Sequence, residues 1–103
     1  MSVLETRREG HALHVVLNRP EVKNAFDEAL IAALTACFEG IKKEDPARVV
    51  CLSGEGPVFC AGGDLQWMKR AASWSKARNR QDALKLFRML RAVRDCPKPV
   101  VAA

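Results

Sequence analysis

Gly62, Gly63 and Asp64 stand where an apolar run, Val58 to Ala61, gives way to a segment of helical character. Of all the residues in the chain, their types and spacing are the ones that could do chemistry. A strand that turns into a helix through two glycines presents unpaired backbone N–H groups at the helix start, where negative charge is favoured. Glycine also lets a ligand come close to the main chain. Such amides could hold an anion or the oxygen of a reacting carbonyl. Asp64 suits another task, capping the helix with a carboxylate turned onto the first-turn amides. A tight strand-to-helix turn with no ligand accounts for the same residues equally well.

The remaining reactive side chains do not assemble. His11 and His14 are three apart on an expected strand, so they point to opposite faces and cannot share a metal. Ser53 and Ser73 have no partnered base within sequence reach. Gly54-x-Gly56 followed by Gly62-Gly63 departs from the dinucleotide fingerprint G-x-G-x-x-G, and no G-K-[ST] is present for a phosphate loop. Cys37, Cys51, Cys60 and Cys96 contain no C-x-x-C and are expected as reduced thiols, all but Cys96 in core-like surroundings. Trp67 and Trp74 are expected to fill core. The residues imply no metal and no redox cofactor.

The elements that must position the glycines can be read from pattern. Val3 to Leu17 alternates loosely around Gly10 and predicts two antiparallel strands, with His11 to Leu17 the more buried, before Asn18-Arg19-Pro20 ends the second. Asp27 caps a helix whose Leu30, Ile31, Leu34, Phe38 and Ile41 share one face, with Phe26 and Ile31 spaced as a hydrophobic staple and an end expected near Lys42-Lys43. Arg48 to Ser53 has the near-continuous apolarity of a central strand in a parallel sheet. Strand, helix and strand make a crossover unit. Gly54 to Pro57 reads as a turn and Val58 to Ala61 as a brief extended piece. One helix starts near Asp64 and another spans Ala77 to Arg94, with Ala83, Leu86, Phe87, Leu90 and Val93 toward the core and the arginines outward. Cys96-Pro-Lys-Pro99 stops it. Val100 to Ala103 opens a further buried strand; a strand that short pairs poorly, so the chain is expected to be the amino-terminal part of a longer protein.

With 103 residues, of which 49% are apolar, the chain is sized for one small domain or part of one. No run approaches the roughly 18 to 20 apolar residues of a membrane span, and MSVLETRREG has no apolar stretch behind its basic residues. The cytoplasm is the expected compartment. The formal charge of +5 is crowded between Lys69 and Lys98, which suits an anionic partner or simply water. One alternative function is therefore a small basic module for nucleic acid or an acidic protein. Against it, the chain has no tyrosine and its two tryptophans sit at the edge of the cluster, so a stacking platform is missing.

LNRPEVKNAFDEALIAAL (Leu17 to Leu34), RVVCLSGEGPVFCAGGDLQWMK (Arg48 to Lys69) and the closing CPKPVVAA together resemble the crotonase family, the enoyl-CoA hydratases and isomerases. The most specific parts are L-N-R-P-x-x-x-N-A and F-C-A-G-G-D-L, in that order. The resemblance implies an α/β fold, the amino-terminal part of a spiral of ββα units, with residues 1–103 an incomplete domain. It implies an acyl-CoA thioester as partner, with coenzyme A entering as part of the substrate, and a homo-trimer or hexamer for the longer protein. Gly63 then supplies a backbone N–H to the thioester oxygen and stabilises the enolate formed as the α-carbon gains or loses a proton. Glu21, Val22, Lys23, Ala61, Gly62, Asp64 and Leu65 match positions that surround the CoA and the substrate. Gln66 stands where several relatives carry lysine. The second oxyanion donor and the acid/base carboxylates match positions beyond Ala103. The expected activity is addition of water to a 2-enoyl-CoA. Other reactions of the family, isomerisation among them, share this site, and the D-L-x-W-M run from Asp64 to Met68 is similar to hydratases acting on methylglutaconyl-CoA.

Overall fold

The computed structural model describes residues 2–102. Its centre is a four-stranded sheet whose strands lie side by side in chain order. β1 (Leu4–Glu9) and β2 (Ala12–Leu17) form the antiparallel hairpin, and His11 lies in its turn rather than on the strand. β2 pairs in parallel with β3 (Val49–Gly54), and β3 in parallel with β4 (Val100–Ala102). Parallel neighbours need a crossover. Helix α1 (Glu28–Glu39) makes the first; α2 (Leu65–Ala71) and α3 (Lys76–Arg94) lie in the second. The ββα arrangement expected from sequence is thus present, with β3 inside the sheet.

Register explains which face is covered. Leu13 lies opposite Val50 and Val15 opposite Leu52, so alternate residues of β2 and β3 share one face. Leu13, Val15, Leu17 and Val50 join Leu30, Ile31, Leu34 and Phe38 of α1 and Met89 of α3 in a single core. Fully burying each of the larger side chains contributes about 1.5–3 kcal/mol. The Asp27 cap is as read from sequence, its Oδ1 accepting from the Leu30 amide at 2.9 Å.

One boundary, one loop conformation and one helix face differ from the sequence reading. Helix α1 stops at Glu39 with Gly40 as its cap, short of Lys42-Lys43. Glycine is a poor helix interior, and ending there lets Ile41 turn into the core, where it is 7% exposed. Val58 to Ala61 is irregular rather than extended. On α3, Ala83, Phe87 and Leu90 face solvent, while Asp82 and Met89 are buried and Leu86 and Val93 half-buried. That helix carries apolar residues around more than one face, so its pattern admits two rotations; docking on α1 selects the stripe through Asp82, Leu86, Met89 and Val93.

Gly54 ends β3 under close constraint. A Cβ there would sit 2.5 Å from the Phe59 carbonyl oxygen and 2.6 Å from the Asn24 side-chain nitrogen. The loop after β3 therefore folds directly onto the strand end, which places residues 59–64 beside residues 23–26.

The hairpin is fastened to the far end of the first crossover by Arg8, whose guanidinium makes two 2.9 Å hydrogen bonds to Asp45. Arg8 and the Ala47 amide hold the Asp45 carboxyl down to about 2, from an ordinary 3.8. A carboxylate whose folded pKa is depressed adds stability above its unfolded pKa and loses it as pH falls through the folded value. The urea midpoint should accordingly drop as pH is lowered from about 4 to about 2. Arg8→Met should flatten part of that decline; an identical acid profile in the variant would show that this pair is not its source.

Candidate functional site

Two N-terminal caps and one arginine build the region around Gly63. Asp27 caps α1, and Asp64 caps α2 by accepting from the amides of Gln66 at 2.8 Å and Trp67 at 3.1 Å. Arg19 lies between them. Its Nη2 is 3.2 Å from Asp27 Oδ2 and 3.0 Å from Asp64 Oδ2, and its Nη1 donates to the Ala25 carbonyl. The Arg19 side chain is 13% exposed and that of Asp64 7%. One guanidinium thus bridges both helix caps in a poorly hydrated place, and its planar fork suits two acceptors at once. The Trp67 amide, with Arg19 and the Gln66 amide, holds the Asp64 carboxyl below the usual range, while burial pushes the other way.

Asn24 completes the frame. It is fully buried at φ 57°, a left-handed conformation that asparagine tolerates better than most residues. Its Nδ2 donates to the carbonyls of Glu55 at 2.9 Å and Val58 at 2.8 Å, and its Oδ1 accepts from the Arg19 amide at 2.7 Å. These bonds hold the loop after β3 against the loop before α1.

The backbone of residue 63 follows from this docking. Phe26 donates to the Gly62 carbonyl at 2.6 Å and accepts from the Asp64 amide at 2.7 Å, an isolated parallel bridge centred on Gly63. In a parallel bridge the central residue's own N–H and C=O point away from the partner chain. Among the described residues the Gly63 amide donates no hydrogen bond, and Gly63 is exposed. It is therefore a donor whose peptide plane is pinned on both sides and whose hydrogen faces outward.

The need for glycine falls on the other member of the pair. Gly62 adopts φ +92°, whereas Gly63 does not have positive φ, and a Cβ on it would touch Met68 and Trp67 at 3.6 to 3.8 Å, ordinary contact distances.

The structure brings the two expected binding segments side by side. Glu21, Val22 and Lys23 are exposed, in and just after a 3-10 turn at Pro20–Val22, and the Lys23 carbonyl accepts from the Ala61 amide at 3.0 Å. Ala61 and Gly62 are exposed next to them, and Leu65 opens α2 at 70% exposed. Asp64 differs: both its carboxylate oxygens are engaged inside the protein, so it positions the loop and offers nothing outward. Arg19 and Asn24 were missed as positioning residues in the sequence, although both lie in the L-N-R-P-x-x-x-N-A run; only their charge and amide type, in a loop before a capped helix, signalled a buried role.

Other expectations meet their outcome here. Trp67 is half-buried against the core, whereas Trp74, also half-buried, is packed under the Arg78 guanidinium, 4.1 Å from its ring centre, and not against the core cluster. The four cysteines are free and all half-buried, Cys96 no less than the rest. The basic third is partly spent inside the molecule: Arg70 pairs with Glu28, Arg88 with Glu39, and Arg91 and Arg94 with Asp95. That weakens a nucleic-acid surface. Among the described residues no three His, Cys, Asp or Glu side chains gather as a metal site, and no helix is long and apolar enough to cross a membrane.

Residues 7–103 match the family model described as enoyl-CoA hydratase/isomerase. The mitochondrial Delta(3,5)-Delta(2,4)-dienoyl-CoA isomerase of Mus musculus is 37% identical over 113 aligned positions, covering 99% of this chain and 34% of that protein. A crystal structure of an enoyl-CoA hydratase from Shewanella pealeana superposes with a TM-score of 0.91 at 31% identity, covering 97% of this chain and 38% of the other. One from Bacillus anthracis gives 0.86 at 28% identity, covering 98% and 39%. The chain spans about a third of the length of the curated relatives it matches.

Arg19→Met should destabilise the protein by roughly 3–5 kcal/mol in urea unfolding, because it strands two carboxylates, and Arg19→Lys should not restore it, since one ammonium cannot reproduce the fork. Gly62→Ala should cost roughly 1–2 kcal/mol for its positive φ, with Gly63→Ala within about 1 kcal/mol of the parent. The reverse order would contradict the backbone assignment.

Proposed function

This chain belongs to the enoyl-CoA hydratase/isomerase family, and we propose that it is the acyl-CoA-binding part of an enoyl-CoA hydratase, holding the thioester oxygen on the Gly63 amide. The observation that carries the reading is the state of that amide: exposed, bonded to nothing among the described residues, and fixed by the bonds of its two neighbours to Phe26. α2 has only seven residues, so the pinned peptide rather than a long helix dipole provides the polarity.

As water adds across the double bond of a 2-enoyl thioester, negative charge moves onto the thioester oxygen and an enolate forms before the α-carbon is protonated. A donor already oriented toward that oxygen needs no reorganisation, and one such donor is worth on the order of 3 kcal/mol. Lys23 and Ala61, bonded to each other, and the neighbouring Glu21, Val22, Gly62 and Leu65 form the exposed border over which the CoA portion would lie. Asp64 keeps this border in place through Arg19. Asp64, the carboxylate next to Gly63 in sequence, is committed to Arg19 and the α2 amides and is not free to act as acid or base. The acid/base pair and the second donor are proposed to come from other parts of the longer protein, whose proposed assembly is a trimer or hexamer. Isomerisation of a dienoyl-CoA is the second reading, favoured by the mouse relative; it places the same enolate on the same amide.

The test is turnover of a short-chain 2-enoyl-CoA by the longer protein. Gly63→Pro, which removes the amide hydrogen, should lower kcat by at least roughly a hundredfold with circular dichroism unchanged. Near-normal turnover in that folded variant would take Gly63 out of the mechanism. Failure of the parent protein to bind any acyl-CoA would remove the substrate class as well.

A further inference from the structure

Asp82, on the inner stripe of α3, is 7% exposed. Its Oδ2 accepts from the Trp67 indole N–H at 3.2 Å, and among the described residues it forms no ion pair. A carboxylate taken this far from water ordinarily has a cation beside it, because a neutral donor offsets only part of its lost hydration. Of the two cations that line the cavity beside it, Arg88 is already committed to Glu39 at 2.7 Å. Lys85 is exposed one turn further along α3 and is not bonded to Asp82.

Asp82 lines a cavity of about 480 Å³ between α1 and α3, with Ile31, Ala32, Ala36 and Trp67 as apolar wall, Thr35 beside them, and the charged Glu28, Glu39, Lys85 and Arg88 also on its lining. Neither Gly62 nor Gly63 lines it. Its volume falls within the roughly 300–1,000 Å³ usual for small-ligand sites.

We propose that this cavity binds a primary ammonium carried on an unbranched alkyl stem. The ammonium supplies the charge that Asp82 lacks through a charge-assisted hydrogen bond, and the stem lies against Ile31, Ala32 and Trp67. The lining holds three carboxylates, those of Glu28, Glu39 and Asp82, against two cations, Lys85 and Arg88, so an acidic ligand is disfavoured, and a neutral one leaves Asp82 unpaired. Two sources carry this chemistry, a free alkylamine and the side chain of a lysine.

The Trp67 indole reports occupancy, since its N–H is bonded to the group that the ammonium would reach. In a Trp74→Phe background, n-pentylamine should change the remaining tryptophan emission saturably. n-Pentanol, of similar length and without charge, should bind at least about thirtyfold more weakly. Asp82→Asn, which keeps an oxygen for the indole, should weaken pentylamine by a similar factor while the thermal midpoint confirms folding. Comparable binding of Nα-acetyl-lysine methylamide would identify a protein side chain as the source; preference for pentylamine alone would identify a free amine. No saturable response to either amine, equal response to n-pentanol, or unchanged affinity in a folded Asp82→Asn variant would overturn the proposal. The n-pentanol comparison needs no variant at Asp82.

Discussion

Arg19 is the interaction on which the rest of this region depends. Its guanidinium stands between the carboxylates that cap two different helices. Each cap is favourable for its own helix. Brought together without a cation, however, the two carboxylates would repel in a setting with little water to screen them. The arginine converts that conflict into a joint. Because Asp27 begins α1 and Asp64 begins α2, fixing the two carboxylates also fixes where the two loops run, and the short ladder between Phe26 and residues 62–64 forms as a result.

The outward amide of Gly63 is a consequence of that joint rather than of glycine itself. Gly62 takes the unusual backbone angle and Gly63 the exposed position between two bonded neighbours. This division of labour separates what must be glycine for the chain to turn from what must be an unblocked N–H for a ligand. Asn24 and Gly54 supply the other half of the constraint. The first satisfies two loop carbonyls, and the second leaves room for the loop to lie against the end of β3. A preorganised donor needs such over-determination, since a peptide free to rotate would spend its advantage on reorganisation.

The surface of α3 shows how a strong sequence signal can be diluted by pairing. Its arginines look like a basic face in one dimension, yet several meet acids from α1 or from the helix end. Exposed Leu84, Phe87 and Leu90 run along the same helix, so its outer side is neither uniformly basic nor uniformly polar. Inside, the buried Asp82 shares a stripe with Met89 and depends on Trp67 for its hydrogen bond.

The order of elements, the parallel placing of β3, the caps at Asp27 and Asp64, and the glycine turn were determined by sequence alone, because each rests on local chemistry: apolar period, β-branched runs, a side chain that can reach its own helix's amides. The resemblance carried by the L-N-R-P and A-G-G-D segments belonged to the same level. Tertiary structure decided the rest. Which of two apolar faces of α3 turns inward depends on what α1 presents to it, and the helix's own periodicity admits both. That Arg19 ties two caps, that Asn24 is buried, and that the Gly63 amide faces outward are properties of residues 31 to 45 positions apart in sequence meeting in space. No local pattern encodes them, since a side chain's hydrogen-bond partner is chosen by the loop that folds against it.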